Sequence, residues 1–259
     1  MNVVVCVKRV PMTQEVDLEI DASKKDVSKD MLAYVLNEWD NYAVEEAIQI
    51  VEKFGGAVTA VTVGSEDDEE VLRRCLAMGA EKAIRVDPGD LSLDGFVISK
   101  ILAEVIKGLE YDLVLTGVQA DDDNYGIVGS MLAEHLGIAR AAVVNHVDIE
   151  GDEANIKVEL EGGVDEVLKI RFPALLSIQT GINEPRYVSI MGIRKAAKKE
   201  LQVLPVTDLG LSEDDLSART VVEEVFLPPE TEGAEIIEGD AATVAEEILR
   251  IMKEKGVSV

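Results

Sequence analysis

The chain has 259 residues, 47% of them apolar, and 51 acidic against 25 basic side chains leave a formal net charge of −26. That length and apolar share fit one sizeable domain plus an extension, or two small domains, around a buried core. So acidic a surface speaks against nucleic acid or an anionic membrane as partner, and serves either solubility or the steering of a partner with basic patches.

Val3 to Val7 is a short β-branched run that predicts a strand buried on both faces. Lys8 and Arg9 follow this run instead of preceding it, so a secretory leader is not expected. Residues 13–28 are polar and predict a loop or small hairpin. Ala43, Val44, Ala47, Ile48 and Val51 have helical spacing over 41–54, and Gly55-Gly56 stops them. A second strand is expected at 58–63 and a helix at 69–78, closed by Gly79. A third strand at 83–86, a helix at 93–109, a fourth strand at 113–116 and a helix near 129–136 follow. This alternation predicts an α/β fold, a parallel sheet with helices on both faces. Ligands of such sheets sit at the carboxyl ends of the strands where strand order reverses, which directs attention to the loops after Val7, Val63 and Thr116.

From Val144 the pattern changes. Strand-like runs at 144–150, 154–161 and 167–172, separated by Gly151-Asp152 and Gly162-Gly163, predict an antiparallel meander on one edge of the sheet, and 175–178 predicts one more short strand. Residues 181–199 hold Asn183-Glu184-Pro185-Arg186-Tyr187 and a basic cluster of Arg194, Lys195, Lys198 and Lys199. Such a cluster is either the polar face of a helix or a contact for something anionic. The acidic remainder, with Pro228-Pro229 and a helical stretch at 241–253, has little core of its own. The expected division is an α/β domain over 1–200 and a C-terminal arm over 201–259 that packs on another chain.

Cys6 and Cys75 lack metal-type spacing and suggest reduced thiols in a cytoplasmic protein, and His135 and His146 have no neighbouring ligands for zinc. No apolar run approaches the roughly 18 residues of a membrane span, so an integral membrane protein is not expected. A P-loop, a G-x-G-x-x-G fingerprint and a G-x-S-x-G elbow are all missing from the sequence. The informative stretch follows the fourth strand: Gly117, Val118, Gln119, Ala120, Asp121, Asp122, Asp123, Asn124, Tyr125, Gly126, Ile127, Val128, Gly129. Its glycines permit close backbone approach, and the helix that follows offers free N–H groups to a phosphate. An ordinary strand-to-helix loop with an acidic cap is the competing reading. The three aspartates would repel a phosphate unless they turn away or cap backbone amides, and some are expected to cap.

These residues, with Val4-Val5-Cys6-Val7-Lys8-Arg9-Val10-Pro11, Ala43-Val44-Glu45-Glu46-Ala47 and Cys75-Leu76-Ala77-Met78-Gly79-Ala80, resemble the beta subunits of electron transfer flavoproteins. Glu161-Gly162-Gly163, Phe172-Pro173-Ala174-Leu175-Leu176 and Asn183-Glu184-Pro185-Arg186-Tyr187 with the basic run to Lys199 resemble that family's signature region, and the matches run in order from residue 1 to about 200. The resemblance implies a Rossmann-like, adenine-nucleotide-binding subunit that pairs with an FAD-bearing alpha subunit and carries single electrons from dehydrogenases to a respiratory or other acceptor. It implies a second nucleotide in the beta subunit, AMP in ordinary members and a second FAD in electron-bifurcating ones. By the same resemblance that site maps onto Cys6, Asn37, Glu38, Trp39, Asp40, Val63 and the loop from Gly117 to Val128. Residues 183–199 resemble the segment that docks on dehydrogenases such as acyl-CoA dehydrogenase, with Ile190 at the position of its apolar anchor. Where ordinary members carry Asn-Gln-Thr-Gly, this chain has Gly126-Ile127-Val128-Gly129, whose Val-Gly pair is similar to bifurcating members and favours FAD over AMP. Met12 in place of the family's Asp after Pro11, and Asn37-Glu38 in place of its Asn-Pro, are further departures. The competing readings are an ATP-using hydrolase on the same fold, for which Lys8-Arg9 is the sole candidate cation pair after the first strand, and a stress-type nucleotide-binding homodimer.

Overall fold

The computed structural model describes residues 1–257 apart from 15, 30, 31, 230–232 and 235. Those parts of the polar 13–28 stretch and of the C-terminal arm that fall on these positions lie outside the described residues. A strand at Asn2–Cys6 (β1) runs down the middle of a nine-stranded sheet. A small antiparallel ribbon of Arg9–Pro11 (β2) and Tyr34–Leu36 (β3) stands beside it. The chain then alternates: helix Glu38–Phe54 (α1), strand Ala57–Val63 (β4), helix Glu69–Met78 (α2), strand Lys82–Asp87 (β5), helix Gly95–Lys107 (α3), strand Leu113–Gly117 (β6) and helix Val128–Leu136 (α4). Strands Ala139–Glu150 (β7), Glu153–Leu160 (β8), Val164–Arg171 (β9) and Ala174–Ile178 (β10) follow. A short helix Ile190–Ala196 (α5), strand Leu201–Pro205 (β11) and helix Ala241–Glu254 (α6) complete the chain.

The sheet order is β11-β5-β4-β1-β6-β10-β7-β8-β9. All pairings are parallel up to β7, and β8 and β9 add the antiparallel meander. Alternate residues of each central strand point to opposite faces. Val3, Val5, Val58, Ala60, Leu113, Leu115, Leu176 and Ile178 pack with α1 and α2, while Val4, Cys6, Val61, Val114 and Leu175 pack with α3 and α4. Both faces are covered, which is why these strands read as unbroken apolar runs.

Three features depart from the sequence reading. First, α1 begins at Glu38, ahead of its apolar periodicity, because Asn37 occupies the cap position and acidic Glu38 and Asp40 fill the first turn. Second, β7 starts at Ala139, well before 144. A register shift opposite Leu176/Ile178 and a positive φ of 59° at Val143 interrupt its alternation. Third, Leu201–Pro205, read as the start of the arm, pairs in parallel with β5 as an edge strand. Beyond it, Val206 is buried, and Leu209, Leu211, Leu216 and Ala218 pack on the α3/α4 side. Asp94, which caps α3 through Val97 N–H, also accepts from the backbone of Arg219 and Thr220 and pins this stretch. Only past that point does the chain expose Val221, Phe226 and Leu227, and no residue of α6 is buried.

Leu176 is fully buried in β10 between α1 and the sheet. Leu176→Ala is expected to cost about 2–5 kcal/mol through lost transfer energy and a residual cavity, read by denaturant unfolding followed by circular dichroism.

Candidate functional site

The chain passes from β1 to β4 and β5 on one side, then returns to β6 on the other side of β1, so the strand order reverses between β1 and β6. The loops leaving β1 and β6 at their carboxyl ends therefore flank the crevice where such sheets hold ligands. They are joined by α1. Asp40 is buried, and its two oxygens accept from Lys8 N–H at 2.8 Å and Gly117 N–H at 3.0 Å. Burial pushes the Asp40 carboxyl up to about 7 despite these donors.

Asn37 extends the same junction. Its side chain does not cap α1. Instead Oδ1 accepts from Asp121 N–H at 3.1 Å and Nδ2 donates to the Gln119 carbonyl at 2.8 Å. Its own N–H donates to the Lys8 carbonyl at 3.0 Å. One asparagine thus ties the β1 loop, α1 and the β6 loop together. On the β4 side, the Thr62 hydroxyl donates to the Val7 carbonyl at 2.7 Å and holds the end of β1.

The three aspartates all turn toward the protein. Asp122 and Asp123 accept from the Lys8 ammonium at 2.6 and 2.9 Å, and Asp123 also accepts from Tyr125 N–H. Asp121 faces Glu38 N–H at 3.4 Å, at the positive end of α1. Burial alone would lower the Lys8 ammonium, but its two carboxylate partners hold it above its ordinary value. The sequence reading did not place Lys8 in the loop, although three consecutive aspartates need a cation and Lys8-Arg9 supplies the nearest pair after β1.

Gly117 and Gly129 are required by close packing. A Cβ at Gly117 would lie 2.5 Å from Asp40 Oδ1, and one at Gly129 would lie 2.6 Å from Ser177 Oγ and 2.8 Å from Thr116 Oγ1. Those two hydroxyls are themselves hydrogen-bonded at 3.0 Å. Asn124 and Gly126 take left-handed backbone, with φ of 54° and 61°. The loop then enters α4 without a side-chain cap at Ile127, and among the described residues no side chain is hydrogen-bonded to the first N–H groups of that helix. Such an end fits an anion such as a phosphate group.

The other expected site residues are placed as follows. Cys6 is buried in the core and can offer only backbone, and burial drives its thiol far upward. Val63 is half-buried at the end of β4. Trp39 turns away, its indole N–H donating to Gln179 Oε1 at 3.0 Å beyond β10. Val118 and Ala120 are half-buried, and Gln119 bonds Asn124 across the loop. Tyr125 is exposed and Val128 half-buried. Two cavities, of about 310 and about 470 Å3, open at the opposite, amino ends of the strands and do not meet this loop. Among the described residues no group of His, Cys, Asp or Glu is arranged to hold a metal ion.

Comparison with known proteins agrees with this geometry. The family model described as an electron transfer flavoprotein domain matches residues 27–209. The chain is 40% identical over 261 residues to an electron transfer flavoprotein subunit beta of Methylophilus methylotrophus and 39% identical over 255 residues to that of Bacillus subtilis, each alignment covering 98% of both chains. The human subunit beta is 33% identical over 234 residues, 89% of this chain and 90% of its own. The chain belongs to the electron transfer flavoprotein family, as a beta subunit. Membership brings electron transfer in place of substrate turnover, a flavin in the assembled complex, and an alpha subunit as partner. No helix among the described residues is long and apolar enough to cross a membrane.

The second region of interest, residues 183–199, projects from the sheet near α1 and α2. Ser189 caps α5 through Gly192 N–H, and Tyr187, Ile190 and Met191 are 90%, 69% and 67% exposed. Arg194, Lys195 and Lys198 are exposed, but Lys199 is not part of that free cluster. Its ammonium donates to the carbonyls of Leu76 and Ala80 at 3.0 and 2.7 Å, at the carboxyl end of α2.

Asp40 yields a pH prediction. Its carboxyl sits near 7 in the fold and near 3.8 when unfolded, so the fold holds a proton that the unfolded chain releases. The contribution of this group is complete below about 4 and declines as pH rises toward 7. Relative to Asp40→Asn, the native chain should lose about 2 kcal/mol of stability between pH 5 and 7, measured by urea unfolding at each pH.

Proposed function

We propose that this subunit carries electrons only as a heterodimer with an FAD-bearing alpha subunit, and that it holds a second adenine nucleotide across the carboxyl ends of β1, β4 and β6. The supporting observation is the uncapped amino end of α4 behind a loop already braced by Asn37 and Asp40. The nucleotide's phosphate would meet the N–H groups of Val128, Gly129 and Ser130, with Gly126 allowing close approach. The aspartates are turned from this end of the loop, because Lys8 pairs with Asp122 and Asp123 and offsets one of their two charges, and Asp121 faces the amino end of α1. A bound flavin would supply the redox chemistry, while the chain's residues position it and exclude water. With backbone donors and no Asn-Gln-Thr side chains at the end of the loop, the reading favours FAD in this site over AMP, and thereby a bifurcating-type carrier.

Docking on flavin dehydrogenases such as acyl-CoA dehydrogenase is assigned to residues 183–199. Exposed Ile190 and Met191 are suited to an apolar pocket, and Arg194, Lys195 and Lys198 to an acidic rim around it. The exposed apolar side chains after residue 220 and α6, none of whose residues is buried, suit an arm laid on the alpha subunit.

The decisive experiment is to purify the chain with its alpha subunit, denature the complex and quantify the released nucleotides. Two FAD per heterodimer and no AMP is the expected outcome. One FAD with one AMP would replace the second flavin by a structural nucleotide, and release of no nucleotide from the beta subunit would overturn the site. Separately, Ile190→Asp should raise the carrier concentration needed for half-maximal reduction by an acyl-CoA dehydrogenase about tenfold, with nucleotide content unchanged.

A further inference from the structure

The projecting segment is moored at both ends by side chains that face inward. At its start, Asn183 Nδ2 donates to the Tyr42 carbonyl at 3.1 Å and to Glu46 Oε2 at 2.9 Å. Arg186 then engages two carboxylates of α1. Nε and Nη2 donate to the two oxygens of Glu45 at 2.9 and 3.0 Å, and Nη1 and Nη2 to the two oxygens of Glu52 at 2.8 and 3.0 Å. The backbone N–H of Arg186 adds a further bond to Glu45 at 3.1 Å. At the far end, Arg73 of α2 donates to the carbonyls of Ala196 and Lys199 at 3.0 and 2.7 Å, and Lys199 returns to α2 as described.

The charge chemistry matches the geometry. The Glu45 side chain is only 3% exposed. Burial would raise its carboxyl, yet the bonds from Arg186 carry it below the ordinary value. Glu52, which is exposed, is lowered by its bond to Arg186 in the same way. A planar guanidinium that satisfies two carboxylates at once fixes direction as well as charge, which a lysine at this position would not do. Glu45 and Glu52 lie on a helix whose Ala43, Val44, Ala47 and Ile48 are locked in the core, so the anchor cannot drift. Between the two moorings, Tyr187, Ile190, Met191 and Ile193 are exposed, with none of the described residues covering them.

An exposed apolar stretch held at both ends has lost much of its conformational freedom before it meets anything, and a partner then has less ordering left to impose. We infer that Arg186, through its double fork to Glu45 and Glu52 on α1, is a positioning residue that holds residues 187–195 in one presented shape ahead of partner docking. The inference rests on the reading of 183–199 as the docking segment.

The test uses the heterodimer and three variants: Arg186→Gln, the double variant Arg186→Gln/Glu45→Gln, and Ile190→Asp. Arg186→Gln strands the buried Glu45 carboxylate and is expected to lower stability, whereas the double variant removes both charges and recovers it. In both variants, hydrogen exchange of the 187–195 amides and trypsin cleavage after Arg194 and Lys195 should accelerate about tenfold. The carrier concentration for half-maximal reduction by an acyl-CoA dehydrogenase should rise about tenfold, with the maximal rate within about twofold of the native value. Unchanged exchange in Arg186→Gln, or a double variant that recovers native exchange and half-saturation along with stability, would overturn the inference, because the pair would then matter only as a buried charge. Ile190→Asp separates the two readings. If it raises half-saturation while Arg186→Gln does not, the positioning role alone is lost. If it leaves half-saturation unchanged, the docking reading fails and takes the positioning role with it.

Discussion

The buried carboxylate of Asp40, accepting from Lys8 N–H on one side and Gly117 N–H on the other, is the contact on which the candidate site depends. It sits where the strand order reverses, and together with buried Asn37 and the Lys8 ion pairs it fixes the two strand-end loops to each other and to α1. Desolvating a carboxylate costs several kcal/mol, while each backbone N–H bond to a charged acceptor returns about 1.5–3 kcal/mol. The rise of the Asp40 carboxyl to about 7 says that desolvation outweighs the donors. The fold therefore accepts a local cost to keep the two loops in register, as is common where a structure prepares a binding site.

Asp40 acts through α1, and that helix carries more than one duty. Its apolar face packs on the central strands, its first turn braces the loop after β6, and its acidic middle receives Arg186 and Asn183. The two candidate regions, the crevice at the strand ends and the projecting segment, are thus fastened to one rigid element. Electrostatics are arranged locally against a strongly acidic background. Lys8 and Arg186 are spent on carboxylates within the chain, Lys199 on carbonyls, and Arg194, Lys195 and Lys198 are left at the surface.

Much of this was legible because the physics was local. Helix α2 matches its periodic run from Glu69 to Met78, and β4 begins within one residue of expectation. The antiparallel meander announced itself through its glycine turns. Where the sequence reading fell short, the cause was a contact distant in the chain. The early start of α1 depends on Asn37, whose side chain is occupied by residues 119 and 121. The edge strand β11 has no fully buried residue, only half-buried Leu201 and Leu204 on opposite faces, and it precedes an acidic stretch, so its pattern resembles a tail until β5 pairs with it. Lys199 looked like one more surface cation because nothing nearby in sequence shows the carbonyls of Leu76 and Ala80.

The sequence by itself determined the α/β class, the strands at the middle of the sheet, the loop that closes on α4 and the family, because burial patterns, glycine positions and motif order are all written along the chain. Only the tertiary structure decided which way Asp121, Asp122 and Asp123 turn, which cation answers them, and which of the basic residues near 190 are free. Those outcomes depend on charges and hydrogen-bond partners brought together from distant segments, and a directional contact of that kind leaves no periodic trace in the order of residues.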